Sequence, residues 1–235
     1  TLATGGDLDA SRRTLEFGGG IGFTVGGALS NGSFRSLAGA VAITAGSVDL
    51  YQIAAANGVD MLANSGNIDL FSADTAAGNL SLTAGTVRVA GSLGAGADIA
   101  VLATTGDAII GYATAGRNIG IAAQGDATLR QANLTGATGD LRIGAGGHAT
   151  LGDDDAMSGI GSDRWFVRAA GSTGMASVTG GAGVSINLDH SARLDSISGR
   201  RAEVNVATGD LTIGQLTALT RRGIVNVVGG SLVIR

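Results

Sequence analysis

Apolar and polar residues alternate in short stretches along the whole chain. The clearest pair is VNVATGDLTI at 204–213 and VNVVGGSLVI at 225–234, with six of ten positions identical at an offset of 21 residues. Alternation over a few residues is typical of a β-strand that is buried on one face only. In such a strand Val204 and Val206 point into the core, and Asn205 points to solvent.

These stretches follow one another at a nearly constant spacing. Apolar-x-apolar windows start at Ile21, Val41, Val59, Leu80, Ile99, Ile119, Leu141, Val167, Ile186, Val204 and Val225. Between them lies a second set of windows, each preceded by Gly and a small or polar residue, for example GSVDL at 46–50. A constant period with strands in phase is the signature of a solenoid. The pattern therefore predicts an all-β fold, a parallel β-helix solenoid with about 20 residues per coil and roughly 11 coils.

Stacking of equivalent windows predicts both the core and the corners of this solenoid. The apolar residues expected to stack inside the coil include Ile99, Val101, Ile119, Ile121, Leu141 and Ile143. Polar residues that precede each window should form a ladder along one corner, namely Asn79, Asp98, Asn118 and Asp140. Glycines at the corners would supply backbone conformations with positive φ.

One step, the 26 residues from Leu141 to Val167, is longer than the others. About six extra residues lie in GDDDAMSGIGSDRW, which predicts a loop excursion at 152–165. Its carboxylates would repel one another unless a cation or a basic partner lies among them, and its Trp offers the flat apolar surface that partner contacts favour. The predicted partner-contact residues are Asp153, Asp154, Asp155, Asp163 and Trp165. A tolerated surface loop is the alternative, and calcium binding by the loop stays open.

Arginine residues form a second candidate surface. Arg200 and Arg201 align with Arg221 and Arg222 at the 21-residue offset, so that stacking would bring them into a small basic strip. Such a strip predicts contact with an anionic glycan, and an ordinary solvated corner is the alternative.

Charged residues also stack on the outer face of the strands. Asp49, Asp69 and Arg88 occupy the middle of aligned triplets in consecutive coils, which predicts a surface ion pair between Asp69 and Arg88. A pair of this kind contributes at most about 1 kcal/mol. A glycosidase, by comparison, needs two carboxylates beside a cleft.

Composition narrows the range of functions. The chain has 42 Gly, no Pro, no Cys and a formal net charge of −4. The lack of Cys excludes disulfides, thiol nucleophiles and Cys-ligated metal sites, and the acidic balance offers no basic footprint for nucleic acid. The Gly-Asp pairs lack the GGxGxD repeat of calcium-binding rolls, and His148 and His190 have no catalytic partner at suitable spacing. We therefore predict no catalytic residue, no metal site, no cofactor and no nucleic-acid partner.

The phrases ATGDLTI, SGNIDL, TGDLRI and AGGHATL resemble the repeats of filamentous-haemagglutinin-like exoproteins, the large adhesins of bacterial two-partner secretion. The likeness covers nearly the whole chain. It implies a right-handed parallel β-helix, export through an outer-membrane secretion partner, and a secreted protein displayed at the cell surface of a Gram-negative bacterium. No functional residue of that family has a motif here to carry over.

With this resemblance, residues 1–235 are expected to form a single β-helix segment of a longer repeat protein, with flanking coils of its own parent chain at both ends. The expected function is that of a structural and adhesive rod, either an adhesin or an effector-presenting stalk, whose partner is a host or bacterial surface glycan or protein. We expect no enzyme activity. The alternative is a polysaccharide-active β-helix enzyme, a lyase or a hydrolase, which should carry a long cleft-forming loop with clustered Asp, Arg or Lys.

Overall fold

The strands of this protein form two parallel sheets that wind around one core. The computed structural model describes residues 1–135, 140–151, 167–169, 176–180, 183–188, 192–199, 202–206, 209–218, 223–227 and 230–234. Within these residues every regular element is a β-strand, and the strands are numbered β1 to β25 in chain order. The 12-stranded sheet contains β1 (Leu2–Thr4), β4 (Ile21–Val25), β6 (Val41–Ala45), β8 (Val59–Ala63), β10 (Leu80–Ala84), β12 (Ile99–Ala103), β14 (Ile119–Ala123), β16 (Leu141–Ala145), β19 (Ala176–Gly180), β21 (Ala192–Gly199), β23 (Leu211–Ala218) and β25 (Leu232–Ile234). The 13-stranded sheet contains β2 (Leu8–Asp9), β3 (Thr14–Phe17), β5 (Ala28–Ser36), β7 (Ser47–Ala55), β9 (Ile68–Thr75), β11 (Val87–Ala95), β13 (Ala108–Ala115), β15 (Ala127–Leu134), β17 (His148–Leu151), β18 (Val167–Ala169), β20 (Gly183–Leu188), β22 (Ala202–Val206) and β24 (Gly223–Val227).

The alternating pattern places apolar residues inside the coil, as predicted. Ile99 stacks in register on Ile119, which stacks on Leu141. All six residues predicted for this part of the core are buried. Val204 is fully buried, while its neighbour Asn205 stays partly exposed. The prediction that Val204 faces the core and Asn205 faces solvent is therefore also confirmed.

The chain is an all-β parallel solenoid with roughly 20 residues per coil and about nine turns. The predicted fold is thereby confirmed, with slightly fewer turns than the 11 expected. Most long strands of the 13-stranded sheet bend midway. In β7, for example, Tyr51 and Gln52 both face outward between the buried Leu50 and Ile53. The bend divides this sheet into two faces, so that the core has a third side.

Polar side chains join consecutive coils at one corner, as the sequence predicts. Asn79 Oδ1 accepts the backbone N–H of Asp98 at 3.3 Å, and Asp98 Oδ1 accepts that of Asn118 at 3.2 Å. Asn118 Oδ1 in turn accepts the backbone N–H of Asp140 at 3.0 Å. Each side chain satisfies a backbone donor of the next coil at the point where the strand begins.

Several other Asp residues of Gly-Asp pairs have the same role where other strands begin. Asp107 Oδ1 accepts the backbone N–H of Asp126, and Asp126 Oδ1 accepts that of His148, both at 2.8 Å. Asp7 and Asp210 accept backbone N–H groups one coil further on at the same distance. These carboxylates therefore cap the corners.

Close approach of the coils explains most corner glycines. A Cβ on Gly116 would overlap the carbonyl oxygen of Gly96 in the preceding coil, whereas a Cβ on Gly144 would meet nothing within 4 Å. Among the described glycines, a positive φ is found only at Gly58, Gly78 and Gly209. The prediction that corner glycines supply positive φ is therefore right for these three, and steric contact between coils is the more general reason.

The number of residues between paired strands increases at the long step in the sequence. Leu141 pairs with Ala176 in the 12-stranded sheet, and Leu151 pairs with Ile186 in the 13-stranded sheet, a step of 35 residues in each. The predicted 26-residue step from Leu141 to Val167 is wrong, because Val167 pairs with Ala132 in the other sheet.

Windows beyond this step consequently exchange sheets. VNV at 204–206 and at 225–227 belongs to the 13-stranded sheet, whereas GDLTI and GSLVI supply β23 and β25 of the 12-stranded sheet. Both kinds of window have the form apolar-x-apolar, so either kind can line either side of the core. The predicted excursion at 152–165 lies between β17 and β18, outside the described residues.

Candidate ligand-binding cleft

The contact residues predicted from the sequence lie outside the described residues. They are Asp153, Asp154, Asp155, Asp163 and Trp165 of the excursion, and Arg200, Arg201, Arg221 and Arg222 of the basic strip. Both assignments stay predictions. The described part of the chain brings together a different group of side chains, on the outer surface of the first coils.

A cleft of about 590 Å³ lies at the bend of the 13-stranded sheet, across β5, β7 and β9. The register there is irregular, and the pairing of β5 with β7 skips Asn31 and Tyr51. An extra residue at the bend turns a second side chain outward beside the one that the alternation already exposes. In β7 two consecutive side chains, Tyr51 and Gln52, therefore face outward, and Tyr51 lines the cleft.

Two aromatic rings form one wall of the cleft. Tyr51 and Phe71 occupy the same bend in consecutive coils, with ring centroids 4.9 Å apart and planes 5° from parallel. Both stay exposed, Tyr51 by 62% and Phe71 by 47%. Gly91 of the next coil lies against Phe71, because a Cβ there would come within 3.3 Å of two of its ring carbons. The aromatic row ends at Tyr51, because the residue at the equivalent bend of the preceding coil is Asn31.

Two carboxylates lie beside the rings. Asp49 and Asp69 are directly in register, and both side chains are exposed. In-register residues of adjacent strands are about 4.8 Å apart at the backbone. Arg88 follows in the same column, but it forms no ion pair with Asp69, contrary to the prediction. The small gain from an exposed pair does not hold two solvated side chains together.

Strained backbone forms the rim of the cleft on the side of the preceding coils. Ser11, Arg12 and Asn31 have φ of 55°, 59° and 59°, and they are the non-glycine residues with positive φ in the described chain. The backbone N–H of Arg12 donates to the carbonyl of Asn31, and that of Ser11 donates to Asp9 Oδ1 at 2.8 Å. Such conformations cost energy and concentrate at ligand-binding sites.

Two other depressions lack this combination of groups. One of about 560 Å³ is lined by Arg35, Asp74 and Thr114, and burial raises the pKa of the Asp74 carboxyl. The other, of about 630 Å³, lies over the outward face of the 12-stranded sheet near Leu102 and Arg142. Neither contains a pair of stacked rings beside two carboxylates. The described residues also contain no group of three or more His, Asp or Glu that could hold a metal ion.

Sequence reasoning missed the cleft, although a signal for it was present. VDLY at 48–51 and IDLF at 68–71 repeat the same phrase at an offset of 20 residues. The repeat places an aromatic residue and an Asp at equivalent positions of consecutive coils. In a chain with one Trp, two Tyr and five Phe, two aromatic residues at one repeat position form a specific pattern.

The cleft can bind a ligand that has an apolar face and several hydrogen-bond donors. The rings offer flat apolar surface, and the carboxylates accept charge-assisted hydrogen bonds. No helix long and apolar enough to span a membrane occurs among the residues that the structure describes. Neither a protein-family model, nor a curated protein, nor a solved structure matches this chain.

Proposed function

We propose that this chain is a structural and adhesive rod segment of a large secreted bacterial surface protein, either an adhesin or an effector-presenting stalk. The observation that carries the proposal is the continuous stacking of the described coils, in which inward aliphatic residues and corner polar side chains hold each coil to the next. In a solenoid of this kind each repeat contacts only its neighbours, so the outward side chains are free for recognition.

The resemblance to filamentous-haemagglutinin-like exoproteins supports the location in this proposal. The rod would be one segment of a longer repeat protein, exported through an outer-membrane partner and displayed at the surface of a Gram-negative bacterium. Its binding partner would be a surface glycan or protein of a host or of another bacterium.

Adhesion by the folded rod tests the proposed function. Fluorescent beads coated with the chain should bind saturably to cultured epithelial cells or to bacterial cells. Beads coated with the Ile119→Asp variant should not bind, because a charge in the core disrupts the coil. Protease added to intact producing cells should cleave the chain while a cytoplasmic marker stays intact. A failure of both adhesion and surface cleavage would refute the proposal.

A polysaccharide-active β-helix enzyme, a lyase or a hydrolase, is the second candidate. The specific observation in its favour is the in-register pair Asp49 and Asp69 beside the cleft, because glycosidases use two carboxylates that flank the scissile bond. Release of reducing ends, or of unsaturated products that absorb in the ultraviolet, would support this candidate if Asp49→Asn abolishes it. Binding of polysaccharide without turnover would favour the rod.

A further inference from the structure

We propose that the cleft at Asp49, Tyr51, Asp69 and Phe71 binds a saccharide that carries no negative charge. The inference deepens the proposed adhesive function and rests on it. It concerns a surface different from the excursion and from the arginine strip.

The exposed ring pair is the first observation that points to a saccharide. Tyr51 and Phe71 are too exposed to serve as core residues, yet their mutual stacking at 4.9 Å holds both rings in one orientation. Rings that are already ordered lose little further freedom when a ligand binds. The C–H face of a pyranose is flat and apolar, and it packs against such a ring surface while its hydroxyls remain available for hydrogen bonds.

The shape of the cleft gives that ligand a place to sit. Phe71 lies between Tyr51 and Gly91, whereas the preceding coil has Asn31 instead of a ring at this bend. The space on that side of Tyr51 extends toward Arg12, at the strained rim. Its volume of about 590 Å³ falls within the range of roughly 300–1,000 Å³ that is usual for small-molecule sites.

Charge decides the class of saccharide. Asp49 and Asp69 contribute two carboxylates to the lining and Arg12 contributes one guanidinium. Hydroxyl or amine groups of a sugar can donate charge-assisted hydrogen bonds to both carboxylates. A uronic acid or a sulfated sugar would instead meet two like charges. The cleft therefore fits neutral or amine-bearing sugars and disfavours acidic ones.

A glycan panel tests this assignment with the full chain. The probes are immobilised neutral oligosaccharides of glucose, galactose, mannose and N-acetylglucosamine, amine-bearing glucosamine oligomers, and acidic oligomers of galacturonate and sulfated galactose. Wild type is compared with Tyr51→Ala and Asp49→Ala, which change two exposed side chains of the cleft. Tyr112→Ala is the matched control, because it removes an exposed aromatic ring that lies outside the cleft. Thermal unfolding of each variant checks that the rod is intact.

We expect wild type to retain one or more neutral or amine-bearing glycans and no acidic glycan. Each cleft variant should bind these glycans about tenfold more weakly, as the loss of a ring contact or of a hydrogen bond to a charged group predicts. Tyr112→Ala should bind within about twofold of wild type. If one cleft variant proves unstable, the other still decides the outcome.

Three results would overturn the assignment: no glycan bound, only acidic glycans bound, or binding unchanged in a folded cleft variant. Neutral-glycan binding should also persist at high salt, because the glycan carries no charge whose attraction salt could screen. Bead adhesion that survives in both cleft variants would show that the beads attach through another surface, and it would leave the adhesive rod in place. If beads coated with the wild-type chain do not adhere at all, the adhesive function itself is rejected.

Discussion

Replacing Gly116 by Ala tests how closely the coils approach at a corner. The backbone N–H of Gly116 donates to the carbonyl of Ala95 at 2.9 Å, which holds this corner against the preceding coil. A Cβ at position 116 would overlap the carbonyl oxygen of Gly96 and lie 2.8 Å from its carbonyl carbon. Both atoms belong to the backbone, so no side chain can rotate away to relieve the overlap. The coils would have to separate, or the corner would have to tilt.

The expected magnitude follows from two opposing effects. Overpacking of a tight contact costs about 1–3 kcal/mol. Ala also reduces the conformational entropy of the unfolded chain, which favours the folded state by about 0.4–1 kcal/mol. Gly144→Ala provides the matched control, because it has the entropic effect without the overlap: a Cβ there meets nothing within 4 Å. We expect Gly116→Ala to be less stable than Gly144→Ala by about 1–3 kcal/mol.

Urea unfolding followed by far-ultraviolet circular dichroism measures this difference. The midpoints of the two variants can be compared directly if their slopes agree, because the slope reports the surface exposed on unfolding. Gly144→Ala should unfold at or above the wild-type midpoint, and Gly116→Ala should unfold below it. Equal midpoints for the two variants would refute the explanation of corner glycines by contact between coils.

Three further substitutions or deletions probe the core, a half-buried carboxylate and the excursion. Ile119→Asp should lower the free energy of unfolding by more than about 3 kcal/mol, because it buries an unpaired charge. Ala122→Asp, on the outward face of the same strand, should change the free energy of unfolding by no more than about 0.5 kcal/mol. Similar effects of the two substitutions in urea titration would contradict the assigned faces. Asp74→Asn should stabilise the protein at neutral pH. Burial raises the pKa of the Asp74 carboxyl above its usual value of 3.8, so the stability that this group contributes to wild type is lost as the pH rises through the raised pKa. The melting temperatures of wild type and Asp74→Asn should become equal below pH 3.8. A difference between them that does not depend on pH would exclude the carboxyl as its cause. Deleting 153–158 should leave the melting temperature unchanged, because the residues that pair β16 with β19 and β17 with β20 all lie outside the deleted stretch. Binding of the deletion variant to surfaces, with and without calcium, then shows whether the excursion contacts a partner.

The core and the corner ladder could be predicted from the sequence because both depend on the period alone. Once Ile99, Ile119 and Leu141 are placed in equivalent strands, their burial follows from alternation. The polar residue before each strand then falls at a corner, where the next coil presents a backbone donor. Asn118 and its neighbours in the ladder therefore follow from the same spacing as the core.

The phase of the coils after residue 151 could not be predicted in this way. Val167 begins an apolar-x-apolar window, and so does Ala176, and the pattern contains nothing that assigns one to a particular sheet. Counting from window to window therefore placed Val167 after Leu141, whereas the structure stacks Ala176 there. A pattern of inward residues identifies a strand but not the side of the coil to which it belongs, because all sides face the same core.

The cleft could not be predicted for a related reason. The repeat period predicts which residues are buried, but it does not predict what the outward residues contact. The spacing predicts a charge partner for Asp69 in Arg88, because those two residues share a column, but it carries no information about the ring next to Leu70. Outward columns carry their own information when the same side-chain chemistry recurs in them. Stacking requires Leu50 and Leu70 to be apolar, but it does not require aromatic rings at the next position of each strand. Residues that recur in register without a role in stacking are therefore where recognition should be sought in a solenoid of this kind.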